Sequence, residues 1–215
     1  MVEENILKRM KKSIVEGDKK KAIELAKKAI EKKMELNEVI ERGFVAGIQK
    51  VGELWEKGEY FLPELITSAE CMKEAMSVLE PELKKSKIER KSRGKVIIGT
   101  VEGDIHDIGK NLVASMLAAN GFEVIDLGAD VELGKFVKRA KEEKAKFICL
   151  SALLTTTMIG QKRVVEMARE KKIKGCKIMV GGAPVSQKWA DDIGADGYAG
   201  NAMAAVRVAL ELVDE

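Results

Sequence analysis

KVIIGTV (95–101), EVIDLG (123–128), KFICLS (146–151), KIMVGG (177–182) and DGYAG (196–200) are the runs on which the fold turns. They are short, mostly rich in β-branched residues and bounded by turn formers, as strands are. Between them lie amphipathic stretches of about ten to fifteen residues, as βα units require. Five such units in series predict a parallel sheet over 95–215 with helices on both faces. In sheets of this kind ligands bind beyond the carboxyl ends of the strands. Chemistry is therefore expected just after each run.

Upstream the grammar is helical. From Val2 to about Leu83, apolar residues recur at three- and four-residue spacing: Ile6, Met10 and Ile14, then Ala22, Leu25, Ala29 and Ile30. Gly17-Asp18 separates the first helix from the second, with Asp18 as N-cap. A third helix should run from Leu36-Asn37 towards Trp55, until Lys57-Gly58-Glu59-Tyr60 interrupts it. A last helix starts near Pro63, proline being favoured in a first turn. Four helices with short connections predict an all-α bundle over 1–83. The segment KKSKIERKSRGK (84–95) has almost no apolar side chain, and 84–94 reads as an exposed linker.

Composition narrows the function classes. The 215 residues suffice for one large domain or two small ones. Hydrophobic residues make up 46% and aromatics 4%, so the core must be mostly aliphatic with Met as filler. A net charge of +3 is too weak to imply nucleic acid, and the basic linker lacks aromatics for base stacking. No stretch approaches the roughly 18 apolar residues of a membrane span. The start, MVEENILKRMKK, has no apolar run of the kind a signal peptide needs. Cys71, Cys149 and Cys176 are odd in number and form no CxxC pair, so neither a disulfide framework nor a zinc site is supported. A reducing, cytoplasmic setting is the expectation.

The first run leads into GTVEGDIHDIG (99–109), which holds His106, the chain's only histidine. A loop position at a strand end favours a functional role, the alternative being a satisfied core histidine. Asp104 can turn its carboxylate towards the ring nitrogen that holds no metal, fixing the tautomer and raising the basicity of the other. Otherwise Asp104 is a turn or capping residue, although Asp107 is the better placed N-cap of the next helix. The third run leads into SALLTTT (151–157), whose four hydroxyls either bond a buried polar ligand or cap a helix. After the fourth run, Gly181-Gly182-Ala183-Pro184 either lets the backbone approach a flat ligand or makes a tight turn. A phosphate loop is excluded, since the chain has no GxxxxGK[ST] and the first loop no GxGxxG. A carboxylate and an imidazole suit a metal better. One histidine builds no three-ligand cage, so such a metal should bring most of its own ligands, as a macrocycle does.

Asp104-x-His106-x-x-Gly109, Ser151-x-Leu153 and Gly181-Gly182 together resemble the cobalamin-binding signature DxHxxG…SxL…GG. That signature belongs to methionine synthase, to the corrinoid proteins of methanol and methylamine methyltransferases, and to base-off mutases. VGELWEKGEYFLPEL (51–65) resembles the helical cap of the methyl-transfer members, so the likeness covers nearly the whole chain. It implies a helical cap followed by a Rossmann- or flavodoxin-like α/β domain that binds cobalamin or a related cobalt corrinoid. His106 would replace the cofactor's own base below cobalt, and Asp104 would hydrogen-bond it. Thr157 matches the hydroxyl of a His-Asp-hydroxyl relay, usually Ser in methionine synthase. Gly103, Ile105, Asp107 and Ile108 would complete the loop against the corrinoid, with Leu153 and Ala183 beside it. Ser151 and Thr155 would bond the buried nucleotide tail, and Gly109, Gly181 and Gly182 would leave room for it. Trp55, Leu62 and Leu65 match cap positions over the upper face of the corrin, Trp55 standing where methionine synthase has Phe. Without the resemblance these three read as bundle core.

The function so implied is the carriage of a methyl group on cobalt, in one-carbon metabolism. The partners implied are a substrate-specific methyltransferase, an acceptor methyltransferase and a reductive activase, and the chain alone would have no complete activity. One rival is a corrinoid-dependent mutase subunit, which resembles the C-terminal half but needs an adenosyl group above cobalt. A second is a cobalamin-based sensor, which would need a DNA-binding helix-turn-helix for which no segment is available. The third is a flavodoxin-like module for another ligand.

Overall fold

A computed structural model describes residues 2–85 and 92–213. They fall into two compact units, one of N-terminal helices together with residues 119–121 and one built on a sheet.

In the helical unit, α1 (Val2–Val15) buries Ile6, Leu7, Met10 and Ile14 along one stripe. Asp18 caps α2 (Lys19–Glu31), its carboxylate accepting the Lys21 N–H at 2.9 Å. The third helical stretch does begin at Leu36, but it is not uniformly α. After α3 (Leu36–Glu38) come seven residues of π-helix (Val39–Val45), then α4 (Ala46–Glu56). The wider i→i+5 turn brings Val39, Ile40, Phe44 and Val45 all into the core. The last helix, α5 (Leu62–Lys85), starts one residue before Pro63 and runs two residues into the stretch assigned to the linker. Lysine is a good helix former, so Lys84 and Lys85 extend α5 rather than ending it. Linker residues 86–91 lie outside the described residues.

The second unit alternates strand and helix: β1 (Lys95–Thr100), α6 (Ile108–Ala119), β2 (Glu123–Asp126), α7 (Leu133–Glu143), β3 (Phe147–Ser151), α8 (Met158–Glu170), β4 (Lys177–Gly181), α9 (Gln187–Ile193), β5 (Gly197–Ala199) and α10 (Ala202–Val213). All strands pair in parallel, in the order β2-β1-β3-β4-β5. The central strands are buried almost throughout, as a sheet covered on both faces demands, whereas the edge strand β2 is half-exposed. Ile97, Ile148, Leu150, Ile178 and Val180 pack with Phe136, Val137, Val164 and Val165 from the helices.

The order fixes where a ligand can sit. From β1 the chain leaves through α6 to β2 on one side, and from β3 through α8 to β4 on the other. Divergent connections from adjacent strands open a crevice at their carboxyl ends. Thr100 pairs with Ser151 and Ser151 with Gly181, so these strands end level and their loops face one another. No helix among the described residues is long and apolar enough to cross a membrane.

Candidate functional site

Asp104 is the fixed point of this crevice. The chain leaves β1 in a turn closed by the Asp104 N–H on the Val101 carbonyl at 3.1 Å, with Gly103 at φ +83°. The Asp104 side chain is completely buried. Its Oδ1 accepts the His106 backbone N–H at 3.1 Å and lies 2.8 Å from His106 Nδ1. Its Oδ2 accepts the N–H groups of Leu153 and Leu154, at 2.7 and 3.2 Å, and the Thr157 hydroxyl at 2.8 Å. Burial alone would push this carboxyl up. The donors from Leu153, His106 and Thr157 outweigh burial and hold it well below the usual carboxylate range. An ionised carboxylate only accepts, so Nδ1 of His106 carries the proton and Nε2 keeps the lone pair of the neutral ring. This is the tautomer a metal ligand needs.

The imidazole itself is accessible. Its side chain is 48% exposed, and the Thr100 hydroxyl holds the His106 carbonyl at 2.9 Å. Large apolar side chains flank it in the open: Ile105 is 77% and Ile108 85% exposed, and Leu153 and Leu154 are also uncovered. Apolar surface grouped around one polar atom marks a binding face rather than a core. Beside it, a β-carbon on Gly109 would meet nothing within 4 Å. Ser151 and Thr155 are half-buried and exposed respectively, and Asp107 precedes α6 with its carboxylate on the Asn111 side-chain amide at 3.0 Å. Among the described residues no cluster of His, Cys, Asp and Glu could hold a metal by itself. The thiols are no substitute, because burial pushes Cys71 and Cys176 up to about 11 and Cys149 to about 12. An accessible, pre-oriented imidazole among apolar side chains suits a planar macrocycle that brings its own equatorial ligands.

The glycines after β4 behave differently from Gly109. Gly182 has φ +125°, and a β-carbon there would lie 1.8 Å from the Ala152 carbonyl oxygen. At Gly181 it would lie 2.9 Å from the Ala199 carbonyl oxygen. Both positions exclude a side chain because the chain's own backbone fills that space. Ala183, next in sequence, is exposed. In the helical unit, Trp55 is half-buried, Leu62 is 45% exposed and Leu65 is buried in the core. Phe61 and Ile66 are exposed near Leu62, and Tyr60 anchors the preceding turn through its hydroxyl on the Val15 carbonyl at 2.9 Å.

Some buried polar residues of the second unit were not anticipated. Lys110 has a buried side chain whose Nζ reaches both Asp126 oxygens at 2.6 Å, tying α6 to the end of β2. Gln161 is completely buried, donates to the carbonyls of Leu150 and Gly181, and accepts the Trp189 ring N–H at 3.0 Å. Both stand on otherwise apolar helix stripes, Lys110 one or two turns before Ala114 and Leu117, Gln161 before Val164, Val165 and Ala168. A polar residue on such a stripe is the signal that could have found them.

Two family models, each described as a B12 binding domain, match residues 94–207 and 6–80. A corrinoid protein of Desulfitobacterium hafniense is 47% identical over 97% of this chain and 98% of its own length. Trimethylamine corrinoid protein 1 of Methanosarcina acetivorans is 50% identical over 91% of each chain. The crystal structure of the methanol:cobalamin methyltransferase complex of Methanosarcina barkeri matches with a TM-score of 0.86 at 32% identity, covering 98% of this chain and 80% of that one. With matches over both units and a buried carboxylate presenting one imidazole at the sheet's switch point, the chain belongs to the B12-binding corrinoid proteins, whose cofactor is a cobalamin-type corrinoid.

Proposed function

We propose that this chain carries a methyl group on corrinoid cobalt from a substrate-specific methyltransferase to an acceptor methyltransferase, with His106 Nε2 as the lower axial ligand. The observation that carries this reading is the 2.8 Å contact between the buried Asp104 carboxylate and Nδ1 of a half-exposed ring whose other nitrogen has no hydrogen-bond partner among the described residues. The corrinoid supplies a cobalt centre able to accept a methyl group and give it up again. Everything else is the work of the chain. Ile105, Ile108 and Leu153 offer apolar contact to a flat ring, and Gly103 and Asp107 shape the loop that carries the imidazole. Ser151 and Thr155 offer hydroxyls to the polar tail, Gly109 leaves space beside it, and Gly181, Gly182 and Ala183 form the neighbouring wall. Trp55 and Leu62, backed by Leu65, would offer the corrinoid apolar contact from the helical unit.

The proton accounting follows from Asp104. It already accepts from every donor around it, so a proton taken up when Nε2 is not coordinating belongs on Nε2. Thr157 then acts by holding Oδ2 in place, which keeps Nδ1 as the donor. The methyl donor is read as a methylamine, because the trimethylamine relative shares more residues with this chain than the methanol complex does. A reductive activase completes the set of partners.

The test is reconstitution with cobalamin, followed by separate trials of methylamines and methanol with their methyltransferases. Methylation of the bound cofactor should require an added methyltransferase and proceed best from a methylamine. Complete transfer between small molecules by the purified holo-protein alone would overturn the proposal.

A further inference from the structure

Asp104 braces the His106 loop against β3, and a second segment braces it from β2. Residues 128–131, which lead from β2 to α7, make four hydrogen bonds to residues 100–104. The Thr100 N–H donates to the Gly128 carbonyl at 3.0 Å, and the Val131 N–H to the Thr100 carbonyl at 3.1 Å. The Asp130 N–H donates to the Asp104 carbonyl at 2.9 Å. The fourth bond is the only one to use a side chain: the Gly103 N–H donates to Asp130 Oδ1 at 2.7 Å. Asp130 therefore grips both ends of the Gly103-Asp104 dipeptide, the amide at its start and the carbonyl at its end.

Both partners stand at positive φ. Asp130 has φ +50° and Gly103 φ +83°. Aspartate and asparagine tolerate the left-handed region better than most residues. Glycine carries the largest conformational freedom of any residue, so an unheld Gly103 would let the loop's entry swing. The bond from its N–H to the Asp130 side-chain oxygen removes that freedom. The hydrogen bonds of Asp130 to this loop go to the Gly103 N–H and the Asp104 carbonyl, so it acts through the peptide from which Asp104 and His106 depart.

We infer that Asp130 is a positioning residue for the His106 imidazole, its carboxylate fixing the Gly103 peptide and hence the place where Nε2 is presented. The inference rests on His106 being the lower ligand of the proposed function. Asparagine keeps both the left-handed tolerance and the acceptor oxygen. Glycine keeps the tolerance, loses the acceptor and frees the backbone further, so Asp130→Gly is read beside Asp130→Asn and beside the wild-type Gly103 amide.

The experiment loads wild type and both variants with cob(II)alamin and reads imidazole-nitrogen coupling by electron paramagnetic resonance. Asp130→Asn should match wild type, while Asp130→Gly should lower the ratio of imidazole-bound to unbound cobalt by about 10-fold or more, as loss of an outer-shell support does. Equal ratios in wild type and Asp130→Gly would overturn the inference, and so would an Asp130→Asn variant as weak as Asp130→Gly. Absence of coupling in wild type would instead overturn the His106 ligand on which the inference stands. Should Asp130→Gly fail to fold, the wild-type apoprotein still decides. Its Gly103 amide should exchange with solvent at least about 10-fold more slowly than an unbonded loop amide; an unprotected Gly103 amide overturns the inference.

Discussion

The loops after β1 and after β4 both carry residues of one sequence signature, yet they use them in opposite ways. After β4, Gly181 and Gly182 are dictated by the protein itself, since the carbonyls of Ala199 and Ala152 occupy the space a side chain would need. After β1, Gly109 has open space beside it, and the imidazole of His106 is nearly half exposed on a backbone pinned from three sides. The loop after β4 is shaped from within, and the loop after β1 is held ready for something outside. A motif locates residues without saying which of these two demands each one answers.

That contrast can be broken by substitution. Gly182→Ala should have the largest effect, because it adds a β-carbon against a carbonyl in a left-handed backbone. The expected loss is roughly 3 kcal/mol or more, read by chemical denaturation with no cofactor present. A fully stable variant would mean that this glycine serves the ligand after all.

Asp104→Asn comes next. It replaces one acceptor oxygen by a donor facing the N–H groups that now bond Asp104. A cost of about 2 kcal/mol at neutral pH is expected. Because the folded carboxyl is held low, its contribution is fully present above the unfolded carboxylate value of about 4 and fades as pH falls below it. The stability gap between wild type and variant should therefore narrow in acid; a gap unchanged between pH values of about 7 and about 3 would contradict an ionised Asp104.

Gly109→Ala is the smallest of the three and the sharpest complement to Gly182→Ala. Gly109 lies in the first turn of α6, where alanine is the better helix former. Apoprotein stability should stay level or rise by up to about 1 kcal/mol, while cobalamin affinity falls. Unchanged cobalamin binding would show that the space beside Gly109 is not used.

Much of this was legible in the chain. Each of the five runs became a strand, and the short DGYAG is β5. Such runs are local signals, set by side-chain branching and turn formers. The Asp104–His106 pair was legible because two residues of spacing in a loop suffice to bring carboxylate and ring together. What escaped was set by tertiary packing. The π-helical stretch 39–45 packs closely on α1, where a β-carbon on Gly43 would lie 2.9 Å from Met10 Sδ, and helical spacing in the sequence does not distinguish it from an α-helix. The Lys110–Asp126 pair joins a helix to a strand 16 residues away, and the Asp130 clamp spans 27 residues. Periodicity marks Lys110 as out of place on its stripe, but it names neither the partner of Lys110 nor the Asp130 clamp. The glycine pair was located but its reason was not, because only coordinates show whose backbone fills the space.

Because the chain has a single histidine, the axial ligand can be identified without mutagenesis. The measurement is the resonance spectrum of cob(II)alamin bound to protein grown with unlabelled histidine and again with nitrogen-15 histidine. If His106 grips the metal, each cobalt line is split into a triplet by ordinary nitrogen and a doublet by the heavier isotope. A splitting indifferent to the label would mean that the lower position is filled by something other than this imidazole, and the account would fail.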